Sequence, residues 1–88
     1  MPYAVDFVPS AAKELAKLST RERQRIAAKI DAVAARPRPP GAEKLAGIDA
    51  WRVRAGDYRI VYEVRDRALV VLVLAVGHRR DIYKRLKE

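Results

Sequence analysis

The first half of the chain has the hydropathy pattern of one strand followed by two helices. Apolar and polar residues alternate from Tyr3 to Phe7, which predicts a short half-buried strand that ends at Pro9. Ser10 is a candidate N-cap for the first helix, and Ser19 with Glu22 fits a capping box for the second. Apolar residues recur at helical spacing on one side of each predicted helix: Ala11, Leu15 and Leu18, then Ile26, Ile30 and Val33.

The second half has the pattern of a β-sheet. The proline-rich segment 37–41 ends the second helix near Arg36, because proline removes backbone donors and disfavours helical geometry before it. Three runs at hairpin spacing then predict strands: Trp51 to Ala55, Tyr58 to Val64 and Leu69 to Val76. The third run is apolar on both faces, so we expect it to be the most central strand. Residues 81–87 predict a short, loosely held terminal helix in which Ile82 can pack.

These elements predict an α+β domain. We expect a small curved antiparallel β-sheet with a two-helix hairpin on one face and a short C-terminal helix. The opposite face of the sheet is expected to be partly open. A length of 88 residues provides one hydrophobic core, so residues 1–88 are expected to form a single domain.

Composition narrows the classes of function. The chain has no cysteine and one histidine, which excludes disulfides and thiolate metal sites, and no cofactor or metal is expected. The longest apolar run, residues 68–76, is too short to cross a bilayer, so we expect a cytoplasmic protein without a membrane partner. Nineteen Lys and Arg against 11 Asp and Glu give a net charge of +8. This charge attracts RNA, DNA or an acidic protein, and it is also compatible with a merely soluble basic domain.

Arginine alternates with apolar residues on the first strand of the predicted hairpin. Arg52 and Arg54 share one face, and the apolar residues of this strand share the other: Trp51, Val53 and Ala55. Arg59 follows a Gly-Asp turn signal, so the hairpin brings it beside that pair. Arg79 and Tyr83 follow the last strand and can approach the same place. Permanent cations with a phenol suit a phosphodiester, although strand arginines also fit an ordinary solvated face.

Other polar and aromatic residues carry weaker signals. Lys44, His78 and Arg80 are candidate contacts to nucleic acid. For His78, which follows a glycine, a local structural hydrogen bond is the commoner role. Tyr58 and Tyr62 alternate with Arg59 on one strand, and we expect both tyrosines to be core residues and Trp51 to lie in the core or at its rim.

Six short motifs occur in a characteristic order along nearly the whole chain. They are Tyr3-x-Val-x-Phe7, Arg36-Pro-Arg-Pro, Lys44-Leu-x-Gly47, Trp51-Arg-x-Arg, Gly56-Asp-Tyr-Arg-Ile-Val-Tyr62 and Val76-Gly-His-Arg-Arg-Asp-Ile-Tyr83. In this order and spacing they resemble the RelE branch of the RelE/ParE superfamily of bacterial type II toxins. The resemblance implies an mRNA endonuclease that acts in the ribosomal A site. It also implies a cognate antitoxin, in an assembly that can be a heterotetramer, and the net charge of +8 favours an acidic, partly helical antitoxin segment.

The resemblance further implies a metal-independent reaction and a set of site residues. The ribose 2′-hydroxyl attacks its own phosphate, and the residues carried over by position are Arg52, Arg54, Arg59, Arg79 and Tyr83. Arg59 and Arg79 would clamp the phosphate, whereas Tyr83 would stack on a base or orient the 2′-hydroxyl. The family often has lysine at positions 52 and 54, and arginine does not exchange a proton as lysine can. Arg54 is therefore a weak candidate for the general base, which leaves Tyr83, His78 or a ribosomal group.

Two other functions are compatible with the sequence. A ParE-like toxin would poison DNA gyrase by protein contact and would need no nuclease residues. A catalytically inactive RNA-binding module would need only the basic charge. The joint presence of Arg59, Arg79 and Tyr83 favours the nuclease, and translation arrest with mapped mRNA ends would distinguish the three functions.

Overall fold

Five strands and two helices form the part of the chain that the computed structural model describes, which is residues 2–78 and residue 82. In chain order they are β1 (Ala4–Phe7), α1 (Pro9–Ala16), α2 (Thr20–Ala35), β2 (Glu43–Lys44), β3 (Trp51–Ala55), β4 (Tyr58–Arg65) and β5 (Val70–His78). The predicted α+β class is confirmed, with one five-stranded sheet. Neither of these helices has the length and apolar character of a membrane span.

The two helices begin in different ways. α1 begins at Pro9, whose fixed φ suits the first helical position, and its N-cap residue Val8 makes no side-chain cap. The prediction that Ser10 caps this helix is wrong, because Ser10 already lies in the first turn. In α2 the Ser19 hydroxyl oxygen accepts a hydrogen bond from the Glu22 backbone N–H at 3.2 Å and donates to Glu22 Oε1 at 3.0 Å. The predicted cap at Ser19 is confirmed.

The strands are arranged in the order β1-β5-β4-β3-β2. The four strands from β2 to β5 are antiparallel, as predicted, whereas β1 pairs with β5 in parallel. Local patterns carry no signal for a pairing between residues 4–7 and 70–73, which α1, α2 and the hairpins separate in sequence. The middle position belongs to β4 and not to β5, because the two-residue strand β2 extends the sheet on the other side. β5 is nevertheless interior, with a neighbouring strand on each side.

A bulge in β5 explains why this strand is apolar on both faces. The register changes from Val61 opposite Ala75 to Tyr62 opposite Val73, so Leu74 is the extra residue. The alternation of side chains along β5 is reversed after the bulge. Both odd-numbered and even-numbered residues of this strand therefore face the helices, each on its own side of the bulge.

The main core lies between the two helices and one face of the sheet, which we call the helix face. Its buried side chains come from α1, α2, β3, β4 and β5: Ala11, Ile26, Ile30, Val33, Val53, Ala55, Ile60, Tyr62, Val71, Val73 and Val76. Tyr62 is fully buried, and its hydroxyl donates to the Pro37 carbonyl oxygen at 2.7 Å. Burial raises the pKa of Tyr62 to about 12. The prediction that Tyr62 belongs to the core is confirmed.

A second, smaller cluster covers part of the opposite face, which we call the open face. Ile82 is helical and fully buried there against Ala50, Val61 and Ala75. Gly77 lies beside Ile82, and a Cβ at that position would make an ordinary van der Waals contact with the Ile82 Cβ at 3.5 Å. The prediction that Ile82 packs is confirmed, and the other residues of the predicted terminal helix lie outside the described residues.

Candidate functional site

Three arginines converge on the open face beside the β3–β4 turn. Arg52 and Arg54 alternate along β3 with the buried residues Val53 and Ala55, as the sequence predicts. Arg54 and Arg59 are direct partners in the register of β3 and β4. The cavity that they form has a volume of about 210 Å³ and is lined by Gly41, Glu43, Arg52, Val53, Arg54 and Arg59. We call it the arginine cavity.

The Gly56 carbonyl holds two of these guanidinium groups together. Arg54 donates from Nε to this oxygen at 3.2 Å, and Arg59 donates from one terminal nitrogen to the same oxygen at 3.2 Å. The same nitrogen of Arg59 also donates to the Tyr58 carbonyl oxygen at 3.1 Å. Gly56 has a φ of +64°, in the left-handed region that glycine adopts without strain. The turn therefore fixes two like charges at one point before any ligand is bound.

Arg52 is held by a carboxylate. Its guanidinium contacts Glu43 Oε2 at 2.7 Å, and the two residues are partners in the register of β2 and β3, so both side chains lie on the open face. The Glu43 side chain is 64% exposed, whereas that of Arg52 is 31% exposed. Sequence reasoning did not find Glu43. No local signal could have found it, since β2 has two residues and the loop before β3 has no regular pattern.

Lys44 and His78 lie apart from the arginine cavity. Lys44 follows Glu43 in β2, so its side chain leaves the other side of the strand, and it forms an ion pair with Asp49 at 3.1 Å. His78 is the register partner of Tyr58, and the two rings meet edge to face with centroids 5.9 Å apart. Because Tyr58 packs against the main core, the structure places the His78 ring on the helix face.

Tyr58 connects the start of α2 with the end of β5. The interaction of its hydroxyl with the Glu22 carboxylate, followed by burial, raises the pKa of the Tyr58 phenol. The same contact, followed by that with Ser19, lowers the pKa of Glu22. Glu22, whose backbone N–H is bound by the Ser19 cap, thus also interacts with the tyrosine against which His78 packs. Tyr58 was predicted to be a core residue, and it is partly buried and packs against the main core.

The proline-rich loop is anchored at the far end of the sheet. Arg38 donates two hydrogen bonds to the Asp66 carboxylate, at 3.3 and 2.9 Å, and its guanidinium lies over the Trp51 ring at 5.7 Å. The Tyr3 hydroxyl donates to Asp66 Oδ1 at 2.7 Å. The hydrogen bond from Arg38 and then that from Tyr3 lower the pKa of Asp66. This anchor fixes the beginning of the segment that leads to β2 and the arginine cavity.

Three of the predicted site residues lie outside the described residues, namely Arg79, Arg80 and Tyr83. Their roles stay predictions. Within residues 2–78 and residue 82, no group of three His, Cys, Asp or Glu side chains is arranged to hold a metal ion. The described part of the site therefore consists of the three arginines, the turn carbonyl and Glu43.

Known proteins with similar sequence and fold identify the family. The family model described as "ParE toxin of type II toxin-antitoxin system, parDE" matches residues 5–83. The chain is 39% identical over 82 residues to the mRNA interferase toxin RelE of Escherichia coli strain K12, with 90% of this chain and 85% of that protein covered. A chain of the intact E. coli RelBE toxin-antitoxin complex superimposes with a TM-score of 0.77 at 35% identity, covering 86% of this chain and 95% of that one. A chain of the RelBE2 complex of Mycobacterium tuberculosis gives a TM-score of 0.81 at 27% identity, covering 92% and 95%. This chain belongs to the RelE/ParE family of type II toxin-antitoxin toxins.

Proposed function

We propose that this protein is the toxin of a type II pair and that it cleaves mRNA in the ribosomal A site. The observation that carries the proposal is the convergence of Arg54 and Arg59 on one turn carbonyl beside Arg52. The name of the similar E. coli protein, an mRNA interferase, supports the same class of reaction. Ribosomes are the site of action, so the protein works in the cytoplasm.

The proposed reaction is an in-line transesterification that needs no metal. The ribose 2′-oxygen bonds to the adjacent phosphorus, and the bond to the 5′-oxygen breaks, which leaves a cyclic phosphate and a free 5′-hydroxyl. Negative charge grows on the non-bridging oxygens during this step. A guanidinium that is already in position for these oxygens lowers the barrier by about 3 kcal/mol.

The hydrogen bonds of the resting site leave room for such a phosphate. Each guanidinium has five N–H donors, and the bonds to Gly56 use one nitrogen of Arg54 and one of Arg59. The remaining donors of the pair can point into the arginine cavity, which opens to solvent on the open face. A phosphate that enters the cavity would therefore meet a prepared pair of cations.

The residues outside the described part complete the proposal. Arg79 would join Arg59 in clamping the phosphate, and Tyr83 would stack on a base or orient the 2′-hydroxyl. Lys44, His78 and Arg80 would contact nucleic acid. For Lys44 and His78 this contact would be away from the scissile phosphate, because neither lines the arginine cavity.

The proposed protein partner is an acidic, partly helical antitoxin segment that covers the basic surface. Solved relatives include toxins in complex with the antitoxin RelB, as in the E. coli RelBE complex. The net charge of +8 gives such a segment an electrostatic attraction to this chain. An assembly of two toxins and two antitoxins is the oligomer that we would look for first.

Primer extension on translating and on naked mRNA tests the function. We expect cleavage at A-site codons in the translating sample only, with no cleavage of naked mRNA in the presence or absence of EDTA. Metal-dependent cleavage of naked RNA would contradict the proposal. Gyrase-dependent breaks in DNA without any cut in mRNA would instead establish the ParE-like alternative.

A further inference from the structure

An arginine of α2 reaches the turn that holds Arg54 and Arg59. If Gly56 carried a Cβ, this atom would lie 2.6 Å from a terminal nitrogen of Arg25, 3.4 Å from its Cδ and 3.6 Å from its Cζ. The Arg25 side chain therefore occupies the space into which any other residue at position 56 would place its own side chain. Gly56 serves the turn twice, by adopting a φ of +64° without strain and by leaving this space open.

The position of Arg25 on α2 explains how it reaches the turn. Arg25 precedes Ile26, which is fully buried in the main core, so the backbone of Arg25 lies at the edge of the packed face of the helix. Its side chain is exposed, yet it lies over the turn, because a long arginine stem can cover neighbouring surface while the charged end stays in water. Arg25 thus meets the turn from the helix face, whereas Arg54 and Arg59 meet it from the open face.

We propose that Arg25 is a positioning residue for the pair of Arg54 and Arg59. The inference rests on the proposed function and adds a residue to it. The Gly56 carbonyl orients both guanidinium groups, so a movement of the turn moves both of them. Arg25 packs on the α-carbon beside that carbonyl and restricts the movement. The two cations are then already in place when a phosphate enters the arginine cavity, and the reaction requires no reorganisation of the turn.

A second contact from α2 lies beside the first. Glu22, three residues before Arg25, interacts with the Tyr58 hydroxyl, and the Tyr58 carbonyl is the other acceptor of Arg59. The contacts of Glu22 with Tyr58 and then with Ser19 lower its pKa, and the charge of Arg25 adds to this effect. One helical turn of α2 therefore contacts both residues whose carbonyls hold Arg59.

Substitutions at position 25 separate the packing of the stem from the charge. Arg25→Ala removes both, Arg25→Met keeps most of the stem without the charge, and Arg25→Lys keeps both. We expect single-turnover cleavage on translating ribosomes to slow about tenfold in Arg25→Ala and by less than about threefold in the other two variants. The loss should appear in the rate at saturating toxin concentration, with little change in the toxin concentration that gives half of this rate.

Arg23→Ala is the matched control, because it removes the same kind of side chain from the same helix. Arg23 donates to the Thr20 hydroxyl oxygen at 3.2 Å and lies two residues from Arg25, on a different side of α2. Its rate at saturating toxin concentration should equal that of the wild type. In the double variant of Arg54→Ala with Arg59→Ala, adding Arg25→Ala should slow cleavage no further, because the side chains that it positions are gone.

A measurement on the free protein tests the positioning without any cleavage. Arg54 donates from Nε to the Gly56 carbonyl oxygen, and this hydrogen bond slows the exchange of the Nε–H proton with water. In NMR spectra of the free toxin, this exchange should be about threefold faster or more in Arg25→Ala than in the wild type, and unchanged in Arg23→Ala. Thermal melting of each variant shows whether it is folded.

The outcomes separate the positioning from the function. Unchanged exchange at Arg54 in Arg25→Ala would overturn the role of Arg25 and leave the nuclease standing. A loss in Arg25→Met as large as that in Arg25→Ala, or a raised half-saturating concentration at an unchanged saturated rate, would show that Arg25 binds RNA through its charge and would also overturn the inference. Faster exchange in a protein that does not cleave mRNA would refute the proposed function and leave the positioning of the arginine pair standing.

Discussion

Arg54 and Arg59 donate to the same oxygen, that of Gly56, so we expect the two side chains to act as one unit in catalysis. Replacing either arginine with Ala removes one cation and leaves the other as the single arginine on the Gly56 carbonyl. The loss of a prepared donor to the phosphate is about 3 kcal/mol, which corresponds to roughly a hundredfold slower cleavage. If the pair acts as one unit, the double variant should be little slower than the slower single variant.

Single-turnover cleavage on translating ribosomes, followed by primer extension, measures this double-mutant cycle. Arg65→Ala is the matched control, because Arg65 lies on the same face of β4, is exposed and lines no part of the cavity. We expect it to change the rate by less than about twofold. Urea denaturation should show little change in any of these variants, since none of the three side chains is buried.

Two results would refute this reasoning. Losses that multiply to about ten-thousandfold in the double variant would mean that Arg54 and Arg59 contribute independently. Equal small losses in the Arg54, Arg59 and Arg65 variants would mean that the basic surface acts as a diffuse field and contains no localised phosphate site.

Three further predictions concern other parts of the molecule. Tyr62→Phe should lose about 1 kcal/mol of unfolding free energy with its hydrogen bond to Pro37. Burial raises the pKa of this phenol to about 12, so the wild-type protein should lose the phenol's contribution to stability as pH rises above about 10, whereas Tyr62→Phe should not. Urea denaturation of both proteins at matched pH measures this difference. An equal loss of stability in the two proteins would contradict the prediction. The pKa of Asp66 is lowered in the folded state, so its contact with Arg38 stabilises the folded protein at pH values above the unfolded pKa of Asp66. This stabilisation is lost on acidification below about pH 4. Asp66→Asn should therefore lose less unfolding free energy than the wild type when the pH is lowered. If the Tyr83 ring stacks on a base, Tyr83→Phe should cleave mRNA almost normally and Tyr83→Ala should lose activity. A strong loss of cleavage in Tyr83→Phe would instead show that the hydroxyl is needed.

Elements with local signals could be predicted from the sequence. The capping box of α2, the β3–β4 hairpin and the alternation of Arg52 and Arg54 with buried residues all depend on neighbours a few residues apart. The start of α1 was misplaced by two residues, because Pro9 is itself a good first helical residue and Ser10 resembles a cap.

Features that depend on distant parts of the chain could not be predicted. The parallel pairing of β1 with β5, the short strand β2 and the bulge at Leu74 have no local pattern of their own. The ion pair of Glu43 with Arg52 follows from β2 and was missed with it. For His78 the sequence left open a local structural hydrogen bond and a contact to nucleic acid, and it could not show that the bulge places the ring beside Tyr58.

The parallel pairing of β1 and β5 gives the chain a definite order of assembly. A nascent chain that has not yet reached Val70 has no partner for β1, and one edge of β4 is unpaired. The arginine hairpin can already form at that stage from local contacts, but the sheet that supports it cannot. The site can therefore fold only after β5 has been synthesised. An mRNA truncated within the codons of β5 would encode Arg52, Arg54 and Arg59, but we expect its protein product to be inactive.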